Sequence, residues 1–205
     1  EGAGKSTQAD RLARRFEQEG HPVALLREPG GTDLGDHLRS WLKDARNLTS
    51  HEAELLLFTA ARAELVRQII IPTLNQGTNV VLDRYAGSTT AYQGYGRRLP
   101  KGKVRAANDL ATGGLTPHLT ILLDAPPEIT LTRARSRNQR LQVPGERFEE
   151  ADLAFHRRVR TGFLHLARKF DDRWLVIDAL APVSEIETTI WKRICQISPG
   201  PIARP

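Results

Sequence analysis

With 205 residues, 40% of them apolar, the chain is long enough for one substantial core and short for two ordinary domains. No apolar run reaches membrane-spanning length and no signal peptide is legible, which argues against membrane partners and for a cytoplasmic protein; the single cysteine, Cys195, excludes an internal disulfide and is expected to be a buried structural thiol in a terminal helix. The net charge of +6, carried mostly by arginine, implies an anionic partner such as nucleotide phosphate or nucleic acid.

The chain opens on Glu1-Gly2-Ala3-Gly4-Lys5-Ser6-Thr7, the last part of a phosphate-loop pattern, G-x-x-x-x-G-K-[ST]. In such a loop the backbone N–H groups from Gly2 to Thr7 surround the phosphates of a nucleotide. Lys5 reaches the β- and γ-phosphates, and Ser6 Oγ ligates Mg²⁺. An amphipathic helix carrying Ala9, Leu12, Ala13 and Phe16 follows to about Gly20 and adds its positive dipole end. The first glycine of the pattern and the hydrophobic strand that normally precedes it are not in the sequence. The chain is therefore expected to be a fragment that lacks at least its first strand.

Pro22–Leu26 reads as a short apolar strand, followed by the turn Glu28-Pro29-Gly30-Gly31. A helix near Leu34–Leu42 and a long helix from about His51 to Leu74, with Pro72 near its end, come next. Asn79–Leu82 is a buried-type strand closing on Asp83-Arg84-Tyr85. Helical segments are predicted around Thr89–Tyr95 and Val104–Ala111, then a strand Leu119–Leu123 ending at Asp124. A helix from Pro127 leads into an arginine-rich stretch, 135–147, with Pro144 and Gly145 suited to a hinge. Arg137 and Arg140 are expected past the end of that helix. A helix of about Glu149–Phe170, a strand Trp174–Ile177 and a helix of about Ser184–Ile197 complete the pattern, and the tail 199–205 is expected to be loose.

Alternating helices and apolar strands predict a single α/β domain over 1–205, with a parallel sheet covered by helices on both faces. Ligands then gather at the carboxyl ends of the strands, where Arg27 and Glu28, and Asp83 and Arg84, lie. Asp83 suits either a helix cap or a metal ligand. Phe58 and Arg62 fall one helical turn apart on one face of the long helix.

Together these segments resemble the bacterial thymidylate kinase (dTMP kinase) family. The resemblance is carried by the loop remnant, by Arg27-Glu28-Pro29-Gly30-Gly31-Thr32, by Leu56-Leu57-Phe58 with Arg62, by Asp83-Arg84-Tyr85 with Ser88 and Ala91-Tyr92-Gln93-Gly94, and by Glu146-Arg147-Phe148-Glu149. It implies the P-loop nucleoside monophosphate kinase fold, ATP and Mg²⁺ as cofactors, and transfer of phosphate from ATP to dTMP. It also implies a cytoplasmic homodimer with no nucleic-acid partner.

The resemblance assigns Lys5, Arg84, Arg137 and Arg140 to catalysis. It places Glu1, Glu28, Arg39, Phe58, Arg62, Arg84, Thr89 and Gln93 against the acceptor, with Phe58 stacked on thymine, Arg62 donating to the base, and Arg39 and Arg84 on the acceptor phosphate. Ser6 and Asp83 serve the metal, and the Glu28–Pro29 bond is expected to be cis. Gly2 resembles the members that draw their extra arginine from a lid, here Arg133, Arg135, Arg137 or Arg140, rather than from the loop. His118 and Glu146 stand where the family commonly has Asp. Another deoxynucleoside monophosphate kinase, or a P-loop ATPase that binds nucleic acid, remain the alternatives.

Overall fold

A computed structural model describes residues 1–44, 46–47, 49–142 and 147–197. Pro144, Gly145, Glu146 and the tail 199–205 lie outside them. Helix α1 (Lys5–Gln18) starts at Gly4, which holds φ at 87°, a left-handed conformation that glycine adopts without a Cβ penalty. Gln8, Leu12 and Phe16 recur every fourth residue on its buried face, with Ala13 beside them. They pack on Ile186, Ile190 and Ile194 of the last helix, α9 (Val183–Ile197). Burying side chains of this size stabilises by about 1.5–3 kcal/mol each.

Strand β1 (Val23–Arg27) pairs in parallel with β2 (Asn79–Asp83), and β3 (Thr120–Asp124) pairs in parallel with β4 (Trp174–Asp178). The parallel pairing expected from the apolar runs is present. Among the described residues it forms two separate two-stranded sheets rather than one. Val81, Leu123 and Ile177 from the two sheets nevertheless share one core with Leu12 and Phe16. The register places Arg27 opposite Asp83 at one carboxyl edge and Asp124 opposite Asp178 at the other.

Between β1 and β2 lie α2 (Asp33–Lys43), α3 (His51–Leu65), a π-helical turn (Val66–Ile70) and α4 (Ile71–Asn75). The long helix of the sequence reading is thus broken by a wider turn. Pro72 stands next to that turn and has no N–H to give to the helical ladder. After β2, α5 (Ala86–Thr89) runs into a second π-helical segment (Thr90–Gly96), and α6 (Lys101–Thr112) follows. Helix α8 (Leu153–Lys169) packs closely on that π segment. A Cβ on Gly96 would come within 2.6 Å of Phe155, and one on Gly162 within 2.8 Å of Tyr95.

Three expectations are corrected. Helix α7 spans Pro127–Leu141, so Arg133, Arg135, Arg137 and Arg140 all sit on it and none lies beyond its end. Helix α8 begins at Leu153 rather than near Glu149, because Asp152 caps it by accepting from the Phe155 N–H at 2.5 Å. Cys195 is exposed, because Ile186, Ile190 and Ile194 take the inward face of α9 and the residue after Ile194 points away.

Candidate active site

The loop before α1 leaves its amides available. Gly4 caps the helix with no side-chain hydrogen bond, and the first turn has no acidic residue. The free N–H groups and the helix dipole therefore face any anion placed there. Gly2, at φ 69°, lies against α7 with no room for a Cβ.

One turn into the site, Ser6 Oγ donates to Asp83 Oδ2 at 2.6 Å. The other oxygen, Asp83 Oδ1, is buried and has no hydrogen-bond partner among the described residues. A hydroxyl beside a carboxylate with a spare buried oxygen fits a hard divalent cation such as Mg²⁺. No group of three or more His, Cys, Asp or Glu side chains able to hold a metal occurs among the described residues. A cation held by Ser6 and Asp83 would therefore share its shell with water and phosphate oxygens.

Beside this pair, Arg84 and the Tyr92 hydroxyl both donate to Glu1 Oε1, the Tyr92 contact at 3.0 Å. The Arg84 guanidinium also lies over the Tyr92 ring at 5.3 Å. Arg84 holds φ at 75°, a conformation that a non-glycine residue keeps only where its surroundings enforce it. Burial would raise the Glu1 carboxyl, but Arg84, Lys5 and the Tyr92 hydroxyl hold it well below its ordinary value. Lys5 is lowered, first by burial and then by the charges of Arg84 and Arg137, against the opposing pull of Glu1 and Asp83. Four charged residues from the loop, β2 and α7 thus share one small volume with Arg84.

On the other side of the cleft, Arg62 is almost wholly buried. Its Nε and Nη2 donate to Glu28 at 2.8 and 2.7 Å, and Nη1 donates to Thr89 Oγ1 and Asn108 Oδ1 at 2.9 and 2.8 Å. Burial pushes the Glu28 carboxyl up, and the Arg62 charge and hydrogen bonds pull it back. The Glu28–Pro29 bond is cis, and Arg39 Nη1 donates to the Pro29 carbonyl at 2.8 Å. Gln93 is buried and donates to Glu54 Oε1 at 2.9 Å. Phe58 is half-buried, with its ring centroid 5.9 Å from that of Phe148.

The predicted residues therefore gather into two connected groups. Glu1, Lys5, Ser6, Asp83, Arg84 and Arg137 form one, rich in charge. Glu28, Arg39, Arg62 and Thr89 form the other, with Phe58 and Gln93 beside it. A chain of ring contacts, Phe58 to Phe148 and Phe148 to Tyr92 at 5.4 Å, runs between them and reaches Glu1 and Arg84. Arg137 donates to Glu149 at 2.8 Å, and Arg133 to the Ala179 carbonyl at 3.0 Å. Arg140 is exposed at the end of α7.

Several site residues had no role in the sequence reading. Tyr92 was visible in its motif, but its contact with Glu1 joins residues 91 positions apart. Glu54 is wholly buried, takes Gln93, Arg97 and Arg147, and looks in the sequence like any first-turn helix carboxylate. Asn108 carries no local signal for its bond to Arg62.

Comparison with known proteins gives a consistent picture. Residues 1–190 match the family model described as thymidylate kinase. The thymidylate kinase of Deinococcus radiodurans is 47% identical over 196 residues, covering 96% of this chain and 93% of that protein. The thymidylate kinase of Syntrophotalea carbinolica is 48% identical over 193 residues, covering 93% and 89%. The crystal structure of thymidylate kinase from Ehrlichia chaffeensis superposes with a TM-score of 0.74 at 31% identity, covering 95% of this chain and 93% of that one.

Proposed function

This chain belongs to the thymidylate kinase family, and from that premise we propose that it transfers the γ-phosphoryl group of ATP to the 5′-phosphate of dTMP, giving dTDP and ADP for DNA-precursor synthesis. The observation that carries the reading is the line of contacts from Phe58 through Phe148 and Tyr92 to Glu1 and Arg84, with Lys5 beside them. It joins an aromatic face suited to a base with a cationic pocket suited to phosphates.

The acceptor oxygen is already anionic, so the site needs little general-base help. Rate must come from alignment and charge neutralisation. The amides from Gly2 to Thr7 cradle the donor phosphates, and Lys5 bridges to the γ-phosphoryl group. Arg84 and Arg39 hold the acceptor phosphate in line. Phe58 stacks on thymine, and Thr89, Gln93 and Arg62 border the base and its phosphate. Glu28, locked to Arg62, keeps that donor fork in place, and Glu1 borders the acceptor sugar. Arg137 on α7 approaches the bridge where charge shifts during transfer, with Arg140 one helical turn further on. Ser6 and Asp83 would hold Mg²⁺, which would supply charge neutralisation for the donor phosphates.

The reading extends to a cytoplasmic homodimer. Among the described residues no helix is long and apolar enough to cross a membrane. Leu56 on α3 and Leu110 on α6, 62% and 83% exposed, offer apolar surface on two neighbouring helices for a second copy. The deciding experiment is phosphoryl transfer from ATP to each of the four deoxynucleoside monophosphates. Transfer with a clear preference for dTMP supports the assignment. Equal rates with dTMP, dCMP and dGMP would remove the acceptor assignment, and no transfer would remove the kinase reading.

A further inference from the structure

Three consecutive residues just beyond α7 reach three different parts of the cleft. Arg147 Nη2 lies 2.9 Å from Glu54 Oε2, on the carboxylate that also takes Gln93 and Arg97. The Phe148 ring packs against Phe58 and Tyr92. Glu149, 4% exposed, accepts from Arg137 Nη2 at 2.8 Å and from Asn138 Nδ2 at 2.5 Å. The turn is also tied from outside, where the Arg147 N–H donates to the Lys43 carbonyl at 3.1 Å.

We propose that Arg147, Phe148 and Glu149 form a coupling segment through which a base seated beside Phe58 fixes the orientation of Arg137. The inference rests on the dTMP kinase reading above and adds to it a route from the base to the transferring phosphate. The physical basis is short. Neighbouring Cα atoms are about 3.8 Å apart, so a shift at Phe148 must be felt at Glu149. Charged hydrogen bonds pin the residues on both sides, and a packed interior moves between discrete arrangements rather than yielding smoothly. A base stacked on Phe58 borders the Phe148 ring and restricts where it can lie. Glu149 then fixes Arg137 through their 2.8 Å hydrogen bond, with Asn138 bound to the same carboxylate. Glu149 touches neither nucleotide in this scheme and is a positioning residue. Binding energy from the base thus appears in kcat rather than only in KM.

The test compares dTMP with 1,2-dideoxyribose 5-phosphate, an acceptor that has the phosphate and sugar but no base. In the unaltered chain kcat should be about 100-fold lower for the abasic acceptor, the scale of an ångström-sized misplacement. In Glu149→Gln, which keeps the side-chain shape, kcat for dTMP should fall toward the abasic value while the abasic kcat and the dTMP KM stay unchanged. Phe148→Leu should collapse the same ratio from the other end of the segment, and Glu149→Asp, which keeps the charge, should restore part of it. A merely structural Glu149 would lower kcat for both acceptors alike, and that result overturns the coupling. Transfer to dTMP with equal kcat for the two acceptors in the unaltered chain overturns the coupling and leaves the kinase reading intact. No transfer to dTMP by the unaltered chain overturns both.

Discussion

A Cβ built on Gly2 would stand 2.0 Å from the carbonyl oxygen of Thr130 and 3.0 Å from the Ala134 N–H nitrogen. Both belong to α7, so the phosphate loop lies directly against the helix that carries Arg133, Arg137 and Arg140. Any side chain at position 2 must push that helix away. A loop arginine at position 2 would therefore need α7 to move, whereas an arginine on α7 needs no such shift. Gly2→Ala should displace α7 and cost about 100-fold in kcat. Gly4, at φ 87° with no protein atom within 4 Å of its added Cβ, would meet backbone strain but no clash with α7. Gly4→Ala should cost about 1–2 kcal/mol of stability while α7 stays in place. Thermal melts and steady-state kinetics on both variants separate the two effects, and equal kcat losses would count against the packing argument.

Arg62 makes the second prediction partly one of stability. Its removal leaves the Glu28 carboxylate buried without a counter-charge, a change that costs about 3–5 kcal/mol. For a chain of this size Arg62→Ala should lower the melting midpoint by roughly 6–20 °C, measured by circular dichroism. Arg62→Lys keeps a charge against Glu28 but loses the planar fork. It should melt higher than Arg62→Ala and still lose preference for dTMP over dCMP. A wild-type melting midpoint in Arg62→Ala would show that the buried pair is not holding this part of the fold.

Much of this was legible before the structure, for definable reasons. The apolar runs of Asn79–Leu82 and Leu119–Leu123 have no partner but a buried sheet, so strand existence and the parallel class followed. Lys5 and Ser6 stand in a motif whose spacing is the mechanism itself. The π-helical turn at Val66–Ile70, inside the long helix expected from His51 to Leu74, was missed because such a turn depends on what packs against the helix as well as on its sequence. The start of α8 was misplaced because Glu149 suits a helix by propensity, yet its carboxylate is engaged with Arg137 and Asn138. The Glu54 cluster was invisible because its members come from positions 54, 93, 97 and 147. Burial of a single carboxylate leaves no periodic trace.

The Ser6–Asp83 pair supplies the third prediction. Asp83 accepts from Ser6 and keeps a spare buried oxygen. Asp83→Asn removes the charge while preserving shape, so the Mg²⁺ concentration needed for half-maximal activity should rise by about tenfold or more, in line with the usual loss on altering a metal-site partner. A Mg²⁺ titration at saturating ATP and dTMP measures it, and an unchanged requirement would leave Asp83 only as the acceptor for Ser6.

The two candidate arginines of α7 are not equivalent, which gives the fourth prediction. Both are exposed, but Arg137 is held by Glu149 at 2.8 Å and its charge acts on Lys5, whereas Arg140 lies at the end of α7. Arg137→Ala should lower kcat by about 10³-fold, by analogy with arginine fingers, with dTMP binding little changed. Arg140→Ala should stay close to the unaltered rate. Normal kcat in the double variant would return both residues to the solvated face of α7.

The last prediction concerns acid stability. His156 is 5% exposed and its Nε2 has no hydrogen-bond partner among the described residues. Burial first, and then the positive charge of the residue 1 amine, lower its pKa, outweighing the bond to the Phe148 backbone and the pull of Glu1 and Asp152. In the unfolded chain the same ring titrates at about 6.5. Between that value and the lower folded one, the unfolded state carries the extra proton. Stability is therefore fully present above about pH 6.5 and is lost as pH falls, with a limiting slope of about 1.4 kcal/mol per pH unit. His156→Gln keeps a donor for the Phe148 backbone and removes the titration. The stability difference between the unaltered chain and this variant, from urea unfolding, should shrink as the pH is taken from 7 to 5. A constant difference over that range would show that His156 protonates equally well in both states, which a ring buried beside Phe155 with an unpaired nitrogen should not do.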